Sequence, residues 1–143
     1  MKNYLSMAVI FMMCVSAAFA ENALLEQGST VGIIVNDDRG GIIHSAFTMV
    51  LLAEGFMINN NNPDYLLNVQ ITITPLENPN PNMVYVRLEL VANLLDNAGN
   101  VLLPYTISWR DGHFNQAGAE NRAFREAVKK INDEYGKLFK NEQ

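Results

Sequence analysis

Between Val84 and Arg110, apolar and polar residues alternate along two arms separated by a short polar break. On the first arm Val84, Val86, Leu88, Leu90, Ala92 and Leu94 share one side, Tyr85, Arg87, Glu89 and Asn93 share the other, and Val91 alone breaks the alternation. A period of two is that of a strand with one buried and one wet face. Asp96-Asn97-Ala98-Gly99-Asn100 supplies residues that tolerate positive φ, so the chain reverses there as a hairpin with a bulge. The return arm sets Tyr105, Ile107 and Trp109 against Thr106, Ser108 and Arg110. Pro104 donates no ladder hydrogen bond, which puts the start of this arm at a sheet edge or a bulge.

The rest of the chain supplies the elements that cover this hairpin. Thr30 to Asn36 is a β-branched apolar run that reads as a central strand buried on both faces. The polar turn Asp37-Asp38-Arg39-Gly40-Gly41 follows, with Asp38 placed to cap the next helix. From about Gly41 to Glu54, Ile42, Ile43, Ala46, Phe47, Val50 and Leu51 recur at helical spacing, and Gly55 suits the left-handed position that ends a helix. Phe56-Met57-Ile58 is extended again, and if it runs parallel to the first strand the three elements form a right-handed crossover. Asn59 to Pro63 is a loop by composition, solvated unless something binds it.

Tyr65 to Pro75 alternates cleanly, with Leu67, Val69, Ile71 and Ile73 on one face. The Asn- and Pro-rich stretch Glu77 to Asn82 links it to the hairpin, most simply as an antiparallel neighbour. After a turn over Asp111 to Gln116, residues Ala117 to Lys140 form an amphipathic helix. Ala119, Ala123, Phe124, Ala127, Val128, Ile131, Tyr135, Leu138 and Phe139 make its apolar stripe. The expected fold is therefore α/β (α+β): a β-α-β-β-β-α two-layer sandwich, mostly antiparallel, with two helices on one face.

Composition changes the picture at the N-terminus. Lys2 precedes an unbroken apolar run from Met7 to Val15, and Ala18-Phe19-Ala20 offers a small-x-small cleavage site. Residues 1–20 thus read as a cleaved secretory signal peptide, 21–28 as a leader and 29–140 as a single domain in the periplasm. Retained as an anchor, Tyr4 to Ala20 would be nearly long enough to span a bilayer. Phe11, Met12 and Met13 before Cys14 do not supply the small residue that lipid attachment at that cysteine requires. Cleavage would leave 123 of the 143 residues and no cysteine, so the core is held by packing alone and thiolate metal sites are excluded. It would remove one charge, Lys2, and take the net charge from −5 to −6. That balance argues against nucleic acid and anionic membrane surfaces as partners, and no stable membrane insertion is expected after cleavage.

With that order on the page, the segments Val31-Gly32-Ile33-Ile34-Val35, Leu52-Ala53-Glu54-Gly55-Phe56 and Pro63-Asp64-Tyr65-Leu66-Leu67 carry a resemblance. They resemble the periplasmic α/β domain of the outer-membrane activators of penicillin-binding proteins, the curli secretion channel protein and the N-terminal domain of the Tol translocation protein. The Asp96-x-x-Gly99 turn within Leu94 to Leu102 is similar to the hairpin of that group. The resemblance implies an envelope domain that binds other proteins or builds assemblies without catalysis. The chain departs from the group in having no lipobox and no segment to form a secretion barrel, so a channel role is not implied.

Candidate chemistry is sparse. His44 and His113 are isolated and give no metal-ligand spacing, and no cofactor motif is present. Neither Ser45 nor Ser108 has a base placed for it, and His44 and Ser45, adjacent on a helix, diverge. Asp37 and Asp38 serve as turn and cap, Asp64 opens a strand, and Trp109 packs. The chain is accordingly read as not an enzyme. Tyr85, Arg87 and Glu89, on the wet face of the longest strand, are the partner-binding candidates, together with the Asn59–Asn62 and Asn78–Asn82 loops. The partner would be an envelope protein or a second copy. A small-molecule or lipid carrier is the alternative, with Met49, Leu51, Leu52, Met57 and Met83 lining an adaptable apolar pocket.

Overall fold

A computed structural model describes Leu25 and residues 28–140, so the expected signal segment, and all of the leader but Leu25 and Gly28, lie outside the described residues. The elements are β1 (Thr30–Val35), α1 (Ile42–Ala53), β2 (Met57–Ile58), β3 (Tyr65–Leu76), β4 (Val84–Leu95), β5 (Val101–His113) and α2 (Gln116–Lys130). A π-helical turn, Ile131–Tyr135, and a last turn, Gly136–Leu138, continue α2. The sheet order is β2-β1-β3-β4-β5. β1 runs parallel to both β2 and β3, and β3, β4 and β5 form an antiparallel meander. The expected two-layer α/β architecture is thus present, with the extended run after α1 adding a fifth, two-residue strand.

Strand parity decides what is buried. Leu67, Val69 and Ile71 on β3, Val86, Leu88, Leu90, Ala92 and Leu94 on β4, and Leu103, Tyr105 and Ile107 on β5 all turn to one face and are buried. α2 packs on β4 and β5, and α1 packs beside β1 and β2. Ile43, Ala46, Phe47, Val50 and Leu51 from α1 meet Ala119, Ala123, Phe124, Ala127, Ile131 and Tyr135 from the second helix in one core. The opposite face carries no helix among the described residues.

Four expectations change. β1 is not buried on both faces: Val31, Gly32 and Ile33 are buried, whereas Ile34 is exposed on the uncovered side. β5 runs on to His113, so the turn before α2 is only Phe114 and Asn115. Asp38 caps α1 from three residues before the N-cap position, its carboxylate accepting the N–H groups of Ile43 and His44 at 3.0 and 2.9 Å while Gly41 holds that position at φ 74°. The two Asn-rich loops lie at opposite ends of the sheet, one leading into β3 and one leaving it, and do not form a joint surface.

Asparagine side chains complete the short parallel strand. β1 is half the length of β3, which leaves ladder groups beyond its ends. Asn60 Oδ1 accepts the Ile33 N–H at 2.8 Å where β2 has already stopped, and Asn36 Oδ1 accepts the Ile71 N–H at 2.7 Å past the end of β1. Asp64 accepts the Thr30 N–H at 2.9 Å and Thr30 Oγ1–H at 3.1 Å, locking the starts of β1 and β3 together. Asn60 and Pro63 cross the outer face over Gly32, where an added Cβ would sit 2.9 Å from Pro63 Cγ. Only glycine admits that crossing. The Asn59–Pro63 loop is therefore anchored to the sheet rather than free.

The π turn keeps the helix stripe aligned. Ala119, Ala123, Ala127, Ile131 and Tyr135 are each four residues apart, and an α-helix drifts by about 40° at every such step. The wider turn over Ile131–Tyr135 offsets part of that drift and returns the Tyr135 ring to the core. There it lies 4.9 Å from Phe47, 5.2 Å from Tyr105 and 5.4 Å from Phe139 between ring centroids. Its hydroxyl is buried with no hydrogen-bond partner among the described residues. A buried hydroxyl without a partner costs about 1–3 kcal/mol. Tyr135→Phe is therefore expected to raise the unfolding free energy by about 1 kcal/mol, measured as a higher urea midpoint at unchanged slope; a lower midpoint would show that the hydroxyl is satisfied.

The same cluster gives the alkaline limit of stability. Burial pushes the Tyr135 phenol well above its ordinary value of 10.0. Burial does the same to Tyr105, aided by its hydrogen bond to Glu134 Oε2 at 2.8 Å. Native phenols then hold protons that the unfolded chain releases above about pH 10, so stability falls as pH rises through that range. Urea midpoints should drop from about pH 9 to about pH 11, and Tyr105→Phe with Tyr135→Phe should flatten the drop.

Candidate functional site

The outer face of the meander is built by the same parity that fills the core. Outward residues line up across the strands in rows: Leu76, Tyr85 and Gly112; Thr74, Arg87 and Arg110; Thr72, Glu89 and Ser108; Gln70, Val91 and Thr106. Arg87, Glu89, Arg110, Thr72, Thr74 and Ser108 are exposed, and Tyr85 is half-buried. The three partner-binding candidates thus share one surface at one end of the sheet, and the structure adds Arg110 to them.

The geometry of this cluster is specific. Gly112 stands directly across from Tyr85, and an added Cβ there would lie 2.6 Å from Tyr85 Cε1 and 2.7 Å from Cδ1. The ring therefore lies flat on the glycine backbone, which explains its partial burial. The Arg110 guanidinium stacks on the exposed side of that ring, 4.6 Å from its centroid. Arg87 and Arg110 face each other across the ladder. Like charges in that position repel, and neither arginine makes an ion pair among the described residues. Glu89 stands one row away, opposite Ser108, and also has no ion pair among the described residues. A guanidinium held on a stacked ring, with a second one across the ladder, is an arrangement suited to carboxylate recognition.

A second polar region lies at the end of β1, where ligands sit in many α/β sheets. A cleft of about 480 Å³ is lined by Asp37, Asp38, Arg39, Ile71, Ile73 and Glu120. Its charges are spent internally: Asp38 caps α1, and Arg39 pairs with Glu120 while its guanidinium lies 5.3 Å from the Phe124 ring centroid. The hydrogen bond from Arg39 holds the Glu120 carboxyl below its usual range. This cleft joins α1 to α2 and belongs to the fold.

Other candidates are kept apart. His44 lies on α1 with Nδ1 3.4 Å from Thr48 Oγ1. His113 turns inward from the end of β5 against Gly118, whereas Ser108 faces outward on the same strand. Trp109 packs under Lys130, 4.7 Å from its ring centroid, and donates to Asp111 at 3.4 Å. No group of three or more His, Cys, Asp or Glu suited to a metal occurs among the described residues. Of the residues that the alternative carrier reading placed around a pocket, Leu51 is buried, but Met49, Leu52 and Met57 turn to solvent.

Arg110 was visible in the sequence as a polar residue of the return arm, but only strand register pairs it with Arg87. Gly112→Ala displaces Tyr85 and with it the Arg110 stack; it is expected to cost about 1–2 kcal/mol through overpacking and to change the near-ultraviolet circular dichroism of the folded protein, with far-ultraviolet signal retained. An unchanged near-ultraviolet spectrum would place the ring elsewhere.

No protein-family model matches the chain, and no curated protein matches it. Solved structures do. A minor lipoprotein from Acinetobacter baumannii superposes with a TM-score of 0.50 at 17% identity, over 78% of this chain and 90% of that one. A candidate lipoprotein from Caulobacter crescentus gives 0.53 at 13%, over 87% and 96%. A Xanthomonas campestris protein of the DUF330 family gives 0.53 at 12%, over 78% and 82%. At such identities the likeness is one of fold: the chain has the architecture of these small bacterial proteins. No helix among the described residues is long and apolar enough to cross a membrane.

Proposed function

We propose that the chain is a non-catalytic, exported envelope module that binds another protein through the outer face of its sheet. The carrying observation is the Arg87–Arg110 couple, in which Arg110 stacks on Tyr85 and neither arginine forms an ion pair among the described residues, on a chain whose net charge is −5. Two adjacent cations that form no ion pair among the described residues repel each other in the free protein, and an acidic segment of a partner relieves that repulsion on binding. The surrounding Thr72, Thr74 and Ser108 supply hydroxyls for a polar rim. The periplasmic location rests on the signal-like residues 1–20, and the assembly role on the resemblance to the penicillin-binding-protein activators and their relatives. Lipoprotein neighbours of the same fold support an envelope setting.

Arg87→Ala is expected to weaken partner binding about 10- to 100-fold with a urea midpoint unchanged or slightly raised, since its side chain is exposed and its repulsion of Arg110 is removed. Tyr85→Ala also weakens binding but lowers the midpoint, because it uncovers Gly112. The identifying experiment places a photoreactive residue at Glu89 in intact cells. Capture of one envelope protein, lost in Arg87→Ala, supports the reading. Adducts to lipid alone, or the same adducts from a photoreactive residue at Asn121 on the far side of α2, overturn it. Adducts only to the chain itself assign the face to self-association.

A further inference from the structure

The direction of each main-chain group in the sheet follows from two bonds beside β1. The Val69 carbonyl accepts the Asn36 N–H at 3.1 Å and the Ile71 N–H donates to Asn36 Oδ1 at 2.7 Å, so odd-numbered residues of β3 bond toward β1 and even-numbered ones toward β4. Carried across the pairs Gln70–Val91 and Leu90–Ile107, this alternation turns the N–H and C=O groups of even-numbered β5 residues away from β4. β5 is the last strand of the sheet, so those groups form its free edge. Pro104 has no N–H to offer there, and at the other end the Gly112 N–H is already given to Asp111 Oδ1 at 2.8 Å. Between them the N–H groups of Thr106, Ser108 and Arg110 have no partner among the described residues.

This open stretch is symmetric about Ser108. A second β5 laid antiparallel, with Ser108 against Ser108, brings Thr106 opposite Arg110 on both sides, and the three pairs exchange about six hydrogen bonds. The next pair out sets Pro104 against Gly112, where neither donor is free, so the new ladder stops at both ends together. On the inner face the same register sets Ile107 beside Trp109 of the second copy, a β-branched side chain against an aromatic one, and covers a Trp109 that is half-buried in the single chain.

A separate pattern on the second helix has the same symmetry. Arg122 lies 3.3 Å from Asp111, Lys130 lies over Trp109, and Tyr105 Oη donates to Glu134 at 2.8 Å, so the flank of the helix that carries Arg122, Glu126, Lys130 and Glu134 runs along the free edge. The signs alternate at four-residue spacing. A reversed copy sets Arg122 against Glu134 and Glu126 against Lys130, and each of these contacts is attractive. Tyr105 and Asp111 stand evenly about Ser108 while Arg122 and Glu134 stand evenly about Val128, so one two-fold axis serves both patterns. α2 packs over β4 and β5. With strands about 4.8 Å apart, the paired helix axes then run about 10 Å apart, the separation of packed helices.

We propose that the free edge of β5 seats a second copy of this chain, joined about a two-fold axis at Ser108 into one continuous sheet with α2 against α2. An extended segment of another protein would meet the same main-chain groups but not the charge row, whose sign pattern matches its own reverse. The outer face keeps the Arg87–Arg110 couple exposed in this dimer, so the inference does not rest on the partner-binding reading.

The full chain is expressed in intact cells with Cys14→Ser and one new cysteine, then oxidised. In the dimer the two Ser108 Cα atoms are about 5.5 Å apart, within disulfide range. Ser108→Cys should therefore give a covalent dimer, whereas Thr72→Cys on β3 and Asn121→Cys on the solvent side of α2 should not. Glu126→Lys should lower the dimer yield about tenfold at an unchanged urea midpoint, because it sets like charges across the axis, and Glu126→Lys with Lys130→Glu should restore it. Thr106→Pro, whose lost donor points away from β4, should lower the yield as well. No dimer at Ser108→Cys, equal yields at the three positions, or a yield indifferent to Glu126→Lys and to Thr106→Pro would each overturn the proposal.

Discussion

The register of β4 between its two neighbours is the constraint on which both faces of the molecule depend. Side chains alternate with a period of two, so a slip of one residue would send Val86, Leu88, Leu90, Ala92 and Leu94 to solvent together. Their burial therefore pins the pairings Thr74–Arg87 and Arg87–Arg110 on the other side, although those residues contribute little to the core. The repulsion between the arginines is tolerated because the hydrophobic term that sets the register is far larger. A surface cluster unfavourable on its own terms is thus held by packing on the reverse of the same strands.

Polar side chains do comparable work where the backbone ladder runs out. β1 is the middle strand of the parallel part of the sheet, and it is short. Asn60, Asn36 and Asp64 each take a backbone N–H that no strand reaches, which turns what composition marks as loop residues into parts of the sheet. At the same end of the sheet the Asn97 amide, oriented with its NH2 toward β3, lies 3.2 Å from the carbonyls of Pro63 and Asp64. The hairpin tip and the crossing loop are then clasped together over the start of the sheet.

Much of this architecture could be read from the residues because the dominant signals are periodic. Alternation in β3, β4 and β5 and the four-residue spacing in α2 are local patterns, and burial follows from them directly. The position of Gly55 at φ 93° was equally plain, since a helix that ends there needs a left-handed residue. Less was visible where contact is non-local. That Ile34 faces out depends on the crossover placing both helices on one side, and that Asn60 is anchored depends on β2 stopping after Ile58. At the candidate site Tyr85, Arg87 and Glu89 followed from strand parity alone, whereas the Arg87–Arg110 couple and the seat of Tyr85 on Gly112 needed the register of two strands.

The most informative failure concerns the methionines. The alternative carrier reading had Met49, Leu51, Leu52, Met57 and Met83 line an internal pocket because flexible apolar side chains suit one, and that inference treats apolar residues as inward by default. α1 breaks the default. It has enough apolar residues for two faces, and the sheet accepts only the stripe from Ile43 to Leu51. The other side mixes Met49 and Leu52 with His44, Ser45 and Thr48, so helical spacing leaves those two apolar residues on the solvent side.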